Sequence, residues 1–428
     1  MNDDILNIIA NHLEMNDIVK LQLLKKFNLY LEQYTSNKLK ISYLWNHSNT
    51  LQKIIIRIGK YDDINYKMSS SINDAMLMYL KNIKHLSLFY YECITDEGLK
   101  YLKNIKILEL DSNTKITNNG LKYLTNIHTL KLHSNELITD EGLMHLQNIH
   151  TLELNHNENI SDKGLQYLKN IHTLKLSESK KITNEGMYYL TNIKNLHIGY
   201  CNEKTDDTIT IPCHTYFSTF CTFCTTGNSN ITDNGLFHLK NIYSLSLPYN
   251  DAITDEGLKH LNSVKILNLQ SNNNITNNGL KYLSGILSLS LGDRYKITDE
   301  GLAYLKGIRE LKLDRTNITD KGLRYLKGIK CLTIYDENNI TDCGMQYLEE
   351  IENLFLPYNN FITNNGLKYL KKIKALSLPD NTIITDDGLK YLNNVEILDL
   401  RKNENVSEEK LKSLTKAKNI LCNKKKNN

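Results

Sequence analysis

The chain has 428 residues, 40% of them hydrophobic and 23% charged, with 52 basic side chains against 48 acidic ones and a net charge of +4. A balance so small and so evenly spread selects no nucleic-acid surface, and no run of about 18 apolar residues exists to span a bilayer. Such a length ordinarily means two or three domains, unless a repeat extends one core lengthwise. The opening MNDDILNIIA carries two acids where a secretory leader would be basic, so a cytoplasmic chain with its eight cysteines reduced is expected. Triplets such as Asn230-Ile231-Thr232 and Asn274-Ile275-Thr276 then stay free of glycan.

In residues 1–45, Asp4-Ile5-Leu6-Asn7-Ile8-Ile9-Ala10-Asn11-His12-Leu13 precedes a polar break, and Ile18-Val19-Lys20-Leu21-Gln22-Leu23-Leu24 follows it. Two short amphipathic helices fit this rhythm, with Asn16 or Asp17 capping the second. The pattern resembles an F-box over about 40 residues, with Asn2-Asp3 standing where that family usually has a proline. The resemblance implies docking on the Skp-type adaptor of a cullin ubiquitin ligase through Ile5, Leu6, Ile9, Leu13, Ile18 and Leu21. The same helices also suit a simple cover for the first repeat. Within a linker at 46–71, Leu51-Gln52-Lys53-Ile54-Ile55-Ile56-Arg57-Ile58 reads as a buried capping strand.

From residue 72 to 421 a unit of 22 residues recurs about sixteen times, opening on Ile94, Ile116, Ile138, Ile160 and Ile182 and resuming at Ile231, Ile253, Ile275 and Ile297. It contracts once, at Ile318, and residues 204–230 hold a degenerate copy. In each unit a stretch like Leu108-x-Leu110-x-x-Asn113 alternates as a half-buried strand does, and a stretch like Thr95-Asp96-Glu97-Gly98-Leu99-Lys100-Tyr101-Leu102 reads as a capped helix start. Neither half can cover its leucines alone, so successive units must stack. The glycine of each helix start reads as serving the turn into the helix.

These motifs resemble the leucine-rich repeats of F-box/leucine-rich-repeat proteins. The resemblance implies an α/β fold, a leucine-rich-repeat solenoid shaped as a horseshoe, with a parallel sheet on the concave face, short helices on the convex face and a small N-terminal helical F-box-like segment. It also gives a ladder of turn asparagines, here Asn113, Asn135, Asn157, Asn250, Asn272, Asn359, Asn381 and Asn403, broken at Ser179, Cys201, Arg294, Thr316 and Glu337, where looser turns are expected. Tyrosines recur in the helix half, for example Tyr101, Tyr123, Tyr167 and Tyr282, with His145, His238 and His260 in their place elsewhere, and read as a stacking ladder.

On the strand face the central positions Glu109, Lys131, Glu153 and Lys175 alternate in sign and should pair. The later positions are neutral or aromatic, which points to Tyr249, Asn268, Tyr335, Phe355 and Tyr358 as partner-binding candidates, with rim decoration as the plain alternative. Cys213, His214, Cys221 and Cys224 invite a zinc reading, yet one CxxC lacks its second ligand pair and a degenerate repeat accounts for the segment. No phosphate loop, dinucleotide motif or HExxH is present. The sequence therefore points to a non-enzymatic protein-binding chain without cofactor, nucleic acid or membrane among its partners. A substrate-recruiting role in a ubiquitin ligase leads, and a stand-alone scaffold is the alternative. Residues 422–428 form a basic tail.

Overall fold

A computed structural model describes residues 73–89, 93–110, 113–133, 135–155, 157–176, 179–199, 228–292, 295–335 and 338–422, together with the backbone of three earlier strands at 31–34, 38–41 and 63–67. The chain forms two compact units, Met1–Leu196 and His197–Asn428. No helix among the described residues is long and apolar enough to cross a membrane.

In the N-terminal unit, β1 (Leu31–Tyr34) pairs antiparallel with β2 (Lys38–Ile41), and β2 is followed by parallel β3 (Asp63–Lys67), β4 (His85–Phe89), β5 (Ile107–Leu110), β6 (Thr129–His133), β7 (Thr151–Asn155) and β8 (Thr173–Leu176). The register from β4 to β8 aligns His85, Ile107, Thr129, Thr151 and Thr173, so neighbouring strands are offset by the sequence period itself. In the C-terminal unit β10 (Ser244–Ser246) through β18 (Asn419–Cys422) repeat the arrangement in parallel, after β9 (Asn195–Ile198) at the boundary. There the shortened repeat leaves the leucines aligned, with Leu311 opposite Leu332, because the turn at Thr316 absorbs the missing residue.

From Ile94 to Leu400 the described repeats bury equivalent positions. In one of them Ile94, Leu99, Leu102, Ile105, Leu108 and Leu110 are all fully buried, each contributing roughly 1.5–3 kcal/mol. The helices are single turns such as Asp96–Leu99 and Asn118–Leu121. Thr95 and Thr117 cap them in extended backbone, accepting from Glu97 N and Asn119 N.

The first helical residue also reaches forward into the next repeat. Asp96 accepts from Thr117 N at 2.8 Å and from the Thr117 hydroxyl at 2.6 Å, and Asp140, Asp162, Asp255, Asp320 and Asp342 bind the following repeat's Thr or Ser in the same way. This explains the recurring glycine, and not by the turn that the sequence suggests. A Cβ on Gly120 would fall inside the contact radius of Asp96 Oδ1 and lie 3.0 Å from Leu99 Cδ1. Glycine is needed because the preceding repeat's carboxylate occupies that space.

The asparagine ladder is present and buried. Asn157 Nδ2 donates to Asn135 O at 3.0 Å and Ile138 O at 2.8 Å, while its Oδ1 accepts from Asn159 N at 2.9 Å. Two of the expected breaks are partly mended: Thr316 Oγ1 accepts from Ile318 N at 3.0 Å, and Ser179 Oγ donates to Asn157 O at 3.4 Å. In the repeat where Glu337 stands at the ladder position, the buried side chain is Asn338, whose Oδ1 accepts from Asn359 Nδ2 at 2.7 Å. Cys201, Arg294 and Glu337 lie outside the described residues.

Two further expectations need correction. Residues 31–41 hold the β1–β2 strand pair, so the segment 1–45 is not helical throughout. A strand at Asp63–Lys67 precedes the repeats, and residues 51–58, where the sequence suggests a capping strand, lie outside the described residues. The tyrosine rings of the helix half take neighbouring cations, with Lys122 Nζ 5.1 Å from the Tyr123 ring and Arg324 Cζ 4.6 Å from that of Tyr325. The stacked column among the described residues is made of His128, His150 and His172 instead.

Candidate partner-binding surface

The strand face of the N-terminal unit neutralises itself. Lys131 Nζ lies 2.9 Å from Glu109 and 3.9 Å from Glu153, and Lys175 Nζ lies 3.3 Å from Glu153. Burial pushes the Glu109 carboxyl up, but the Lys131 ammonium and the Ser87 hydroxyl outweigh it and hold the group below its usual range. Charges already paired at strand spacing offer a partner little.

In the C-terminal unit the central strand positions Ser246, Asn268, Ser290, Thr333 and Ser377 are buried, although they were expected to face a partner. Asn268 is 3% exposed and both ends of its amide are used, Nδ2 on Ser246 Oγ at 3.2 Å and Oδ1 by Gln270 N at 3.0 Å. It is not offered to a ligand.

The accessible aromatics lie where the strands end. Tyr335 is 45% exposed, with Lys312 Nζ 4.9 Å from its ring, and Tyr358 is 54% exposed. Phe355 is in register with Thr333, two residues before Tyr335, so Phe355, Tyr335 and Tyr358 share one pair of adjacent strands. Tyr249, 36% exposed, lies in the turn after β10, five strands from β15 (Asn353–Phe355), or roughly 24 Å at ordinary strand spacing.

Tyr249 and Tyr358 also share an uncommon backbone, with φ of +54° and +62°. Ser271, Arg315 and Lys402 adopt the same region just before the ladder position, and Tyr295, 52% exposed, does so one residue after it. Left-handed backbone favours glycine or asparagine, so a ring held there stores strain of about 1 kcal/mol or more. Tyr295 belongs to this exposed group and escaped the sequence reading because its repeat departs from the pattern at Gly292. Phe361, also exposed, stands immediately before the buried Ile362, as Leu137 and Ile383 stand before Ile138 and Ile384. That recurring register was the available signal.

Ile5, Leu6, Ile9, Leu13, Ile18 and Leu21 lie outside the described residues, as do Cys213, His214, Cys221 and Cys224. Among the described residues no three His, Cys, Asp or Glu side chains gather as a metal site, and Cys93, Cys331, Cys343 and Cys422 are not joined in disulfides.

The imidazole column supplies a titratable feature. Ring centroids of His128 and His150 are 4.5 Å apart, and those of His150 and His172 are 4.1 Å apart with planes 10° from parallel. Burial, and then the flanking His172 and His128, hold the His150 imidazole below its ordinary 6.5. The unfolded chain therefore binds this proton first. Its contribution to stability is complete above about pH 6.5 and declines as the pH falls through that value. Urea unfolding between about pH 7 and about pH 5.5 should show this slope, and His150→Gln should flatten it. An unchanged slope in the variant would remove His150 as the cause.

The leucine-rich-repeat family model matches residues 123–146, 145–169 and 260–284, so the chain carries leucine-rich repeats. No curated protein sequence matches it. A solved leucine-rich-repeat protein of Leptospira interrogans is similar with a TM-score of 0.53 and 23% identity, over 80% of this chain and 84% of that one. An internalin of Listeria monocytogenes gives a TM-score of 0.42 and 23% identity, over 81% and 83%. A chain of the glycosylated Toll–Spatzle complex of Drosophila gives 0.51 and 15%, over 87% and 53%. At these identities the likeness is one of fold.

Proposed function

We propose that this chain of leucine-rich repeats is a protein-binding scaffold that recruits substrates to a ubiquitin ligase of the Skp/cullin type. The observation carrying the binding half is the exposed pair Tyr249 and Tyr358, kept as large aromatics in left-handed backbone that would accept asparagine without strain. Rings that project from rigid strand ends are suited to anchor a partner, and Tyr335 with Phe355 widens the patch around Tyr358. The ligase half is supported by the F-box-like run, with Ile5, Leu6, Ile9, Leu13, Ile18 and Leu21 as the adaptor-facing residues. In this reading the protein contributes proximity, with no catalytic residue or cofactor of its own, and works in the cytoplasm. The β1–β2 pair within residues 31–41 favours a second reading, a stand-alone scaffold whose first segment closes the repeat array and binds no adaptor.

Affinity capture separates the two. The full-length chain should retain a Skp-type adaptor and lose it when Ile5, Leu6 and Ile18 are changed to Asp. Failure to retain the adaptor, or retention by the triple variant, leaves the scaffold reading alone. A Tyr249→Asn/Tyr358→Asn variant should melt within a few degrees of the parent, since asparagine tolerates this backbone, while losing the co-purifying proteins identified by mass spectrometry. Unchanged capture would mean that the tyrosines are not anchors.

A further inference from the structure

In the N-terminal unit the turns leading from helix to strand read LKNIK at 80–84 and 102–106, LTNIH at 124–128, LQNIH at 146–150, LKNIH at 168–172 and LTNIK at 190–194. None contains Asp or Glu. Their last residues are joined through the backbone: Lys106 N donates to Lys84 O at 2.8 Å, His128 N to Lys106 O at 2.8 Å, His150 N to His128 O at 2.9 Å, His172 N to His150 O at 2.9 Å, and Lys194 N to His172 O at 2.9 Å. Lys84, Lys106, His128, His150, His172 and Lys194 thus form one column along the upstream edge of the sheet, a strand spacing of roughly 4.8 Å apart. From Lys330 onward in the C-terminal unit the corresponding turns are built differently: Lys330 and Lys374 pair with Glu352, and Lys418 pairs with Glu396. There the column supplies its own anions.

We propose that the column from Lys84 to Lys194 is a second docking surface, and that it takes an acidic polypeptide segment more tightly as its imidazoles gain protons. The three rings stack on one another, so the trio presents ring edges outward, carrying N–H donors when protonated. Edges in single file suit carboxylates, whereas nucleobases need free ring faces on which to stack. Parallel rings more than 4 Å apart also fail to converge on one metal ion at about 2 Å. A groove lined by Lys106, Thr125, Asn126, His128 and Asn148 opens beside the first ring and gives an incoming chain polar partners.

The described groups nearest the trio are of one sign or neutral. His128 and His172 flank His150, Lys106 and Lys194 stand beyond them, and Lys103 and Lys169 lie in the same turns. On the strand side Thr129 and Thr151 hydroxyls meet His128 and His150 Nδ1 at 3.2 and 3.3 Å, and on the turn side Asn170 O accepts from His172 Nδ1 at 3.0 Å. An acidic ligand brings counter-charge to the imidazoles, so its binding and their protonation favour each other. This surface uses none of the residues assigned to the adaptor or to the aromatic patch.

The test is fluorescence anisotropy of a labelled octa-aspartate peptide, which stays ionised across the range, with the full-length chain at about pH 8 and about pH 6 and constant ionic strength. Binding should tighten about tenfold at the lower pH. His128→Gln/His150→Gln/His172→Gln should keep the affinity at the higher pH and lose the gain, and Lys106→Gln/Lys194→Gln should bind more weakly at both. If the triple variant does not fold by circular dichroism, His150→Gln alone should show a reduced gain. The proposal is overturned if the folded parent chain does not bind the peptide near pH 6, or if the histidine variants keep the full gain. Equally tight binding of an oligothymidylate of matched charge would overturn it in favour of a nucleic acid.

Discussion

Gly120→Ala should lower the stability of the N-terminal unit by about 2–4 kcal/mol, a large effect for one methyl group on a helical turn where alanine is intrinsically the better residue. The added Cβ would displace the Asp96 carboxylate, which bonds both the amide and the hydroxyl of Thr117, and would press on Leu99. The expected loss is that of two charge-assisted bonds joining consecutive repeats, together with strain at a buried leucine. Urea unfolding reads the change directly. Asp96→Ala gives the diagnostic comparison: with the carboxylate gone, alanine at position 120 should cost much less than in the parent, so the double variant should be more stable than the sum of the single changes implies. Strict additivity would mean that the glycine serves the turn after all.

Asn157→Ala should be nearly as damaging, at about 2–4 kcal/mol. Its side chain is fully buried, and its removal leaves Asn135 O, Ile138 O and Asn159 N without the amide that now serves all three. Ser179→Ala, at the same position one repeat later, should cost less, since the Ser179 hydroxyl reaches Asn157 O at 3.4 Å, a longer contact than the bonds of the Asn157 amide at 3.0 and 2.8 Å. Hydrogen exchange of the Asn159 amide, which donates to Asn157 Oδ1, would localise the first effect. Equal destabilisation by both changes would show that burial at this position, and not the amide, is what the fold requires.

Much of the candidate surface was readable, but unevenly. The alternation Glu109, Lys131, Glu153, Lys175 was visible as a pairing ladder because a period of 22 stacks equivalent positions on neighbouring strands. Tyr249 and Tyr358 stand in two copies of Leu-Pro-Tyr-Asn, at 247–250 and 356–359, and nothing in that motif announces their left-handed backbone. Asn268 was misjudged, since a strand pattern gives the side on which a residue lies and not how far its neighbours cover it.

By itself the sequence determined the unit, its strand and helix halves, its buried leucines and the order in which copies stack, because apolar residues at a constant interval can leave water only against their own copies. The tertiary structure decided what depends on residues a full repeat apart: that Asp96 caps the following repeat and so requires Gly120, that the stacked rings are His128, His150 and His172 and not the tyrosines, and that the central serines of the C-terminal unit are covered. Those outcomes turn on a few tenths of an ångström and on the volume of adjacent side chains. A periodic pattern encodes which residues become neighbours, and packing alone sets how closely they meet.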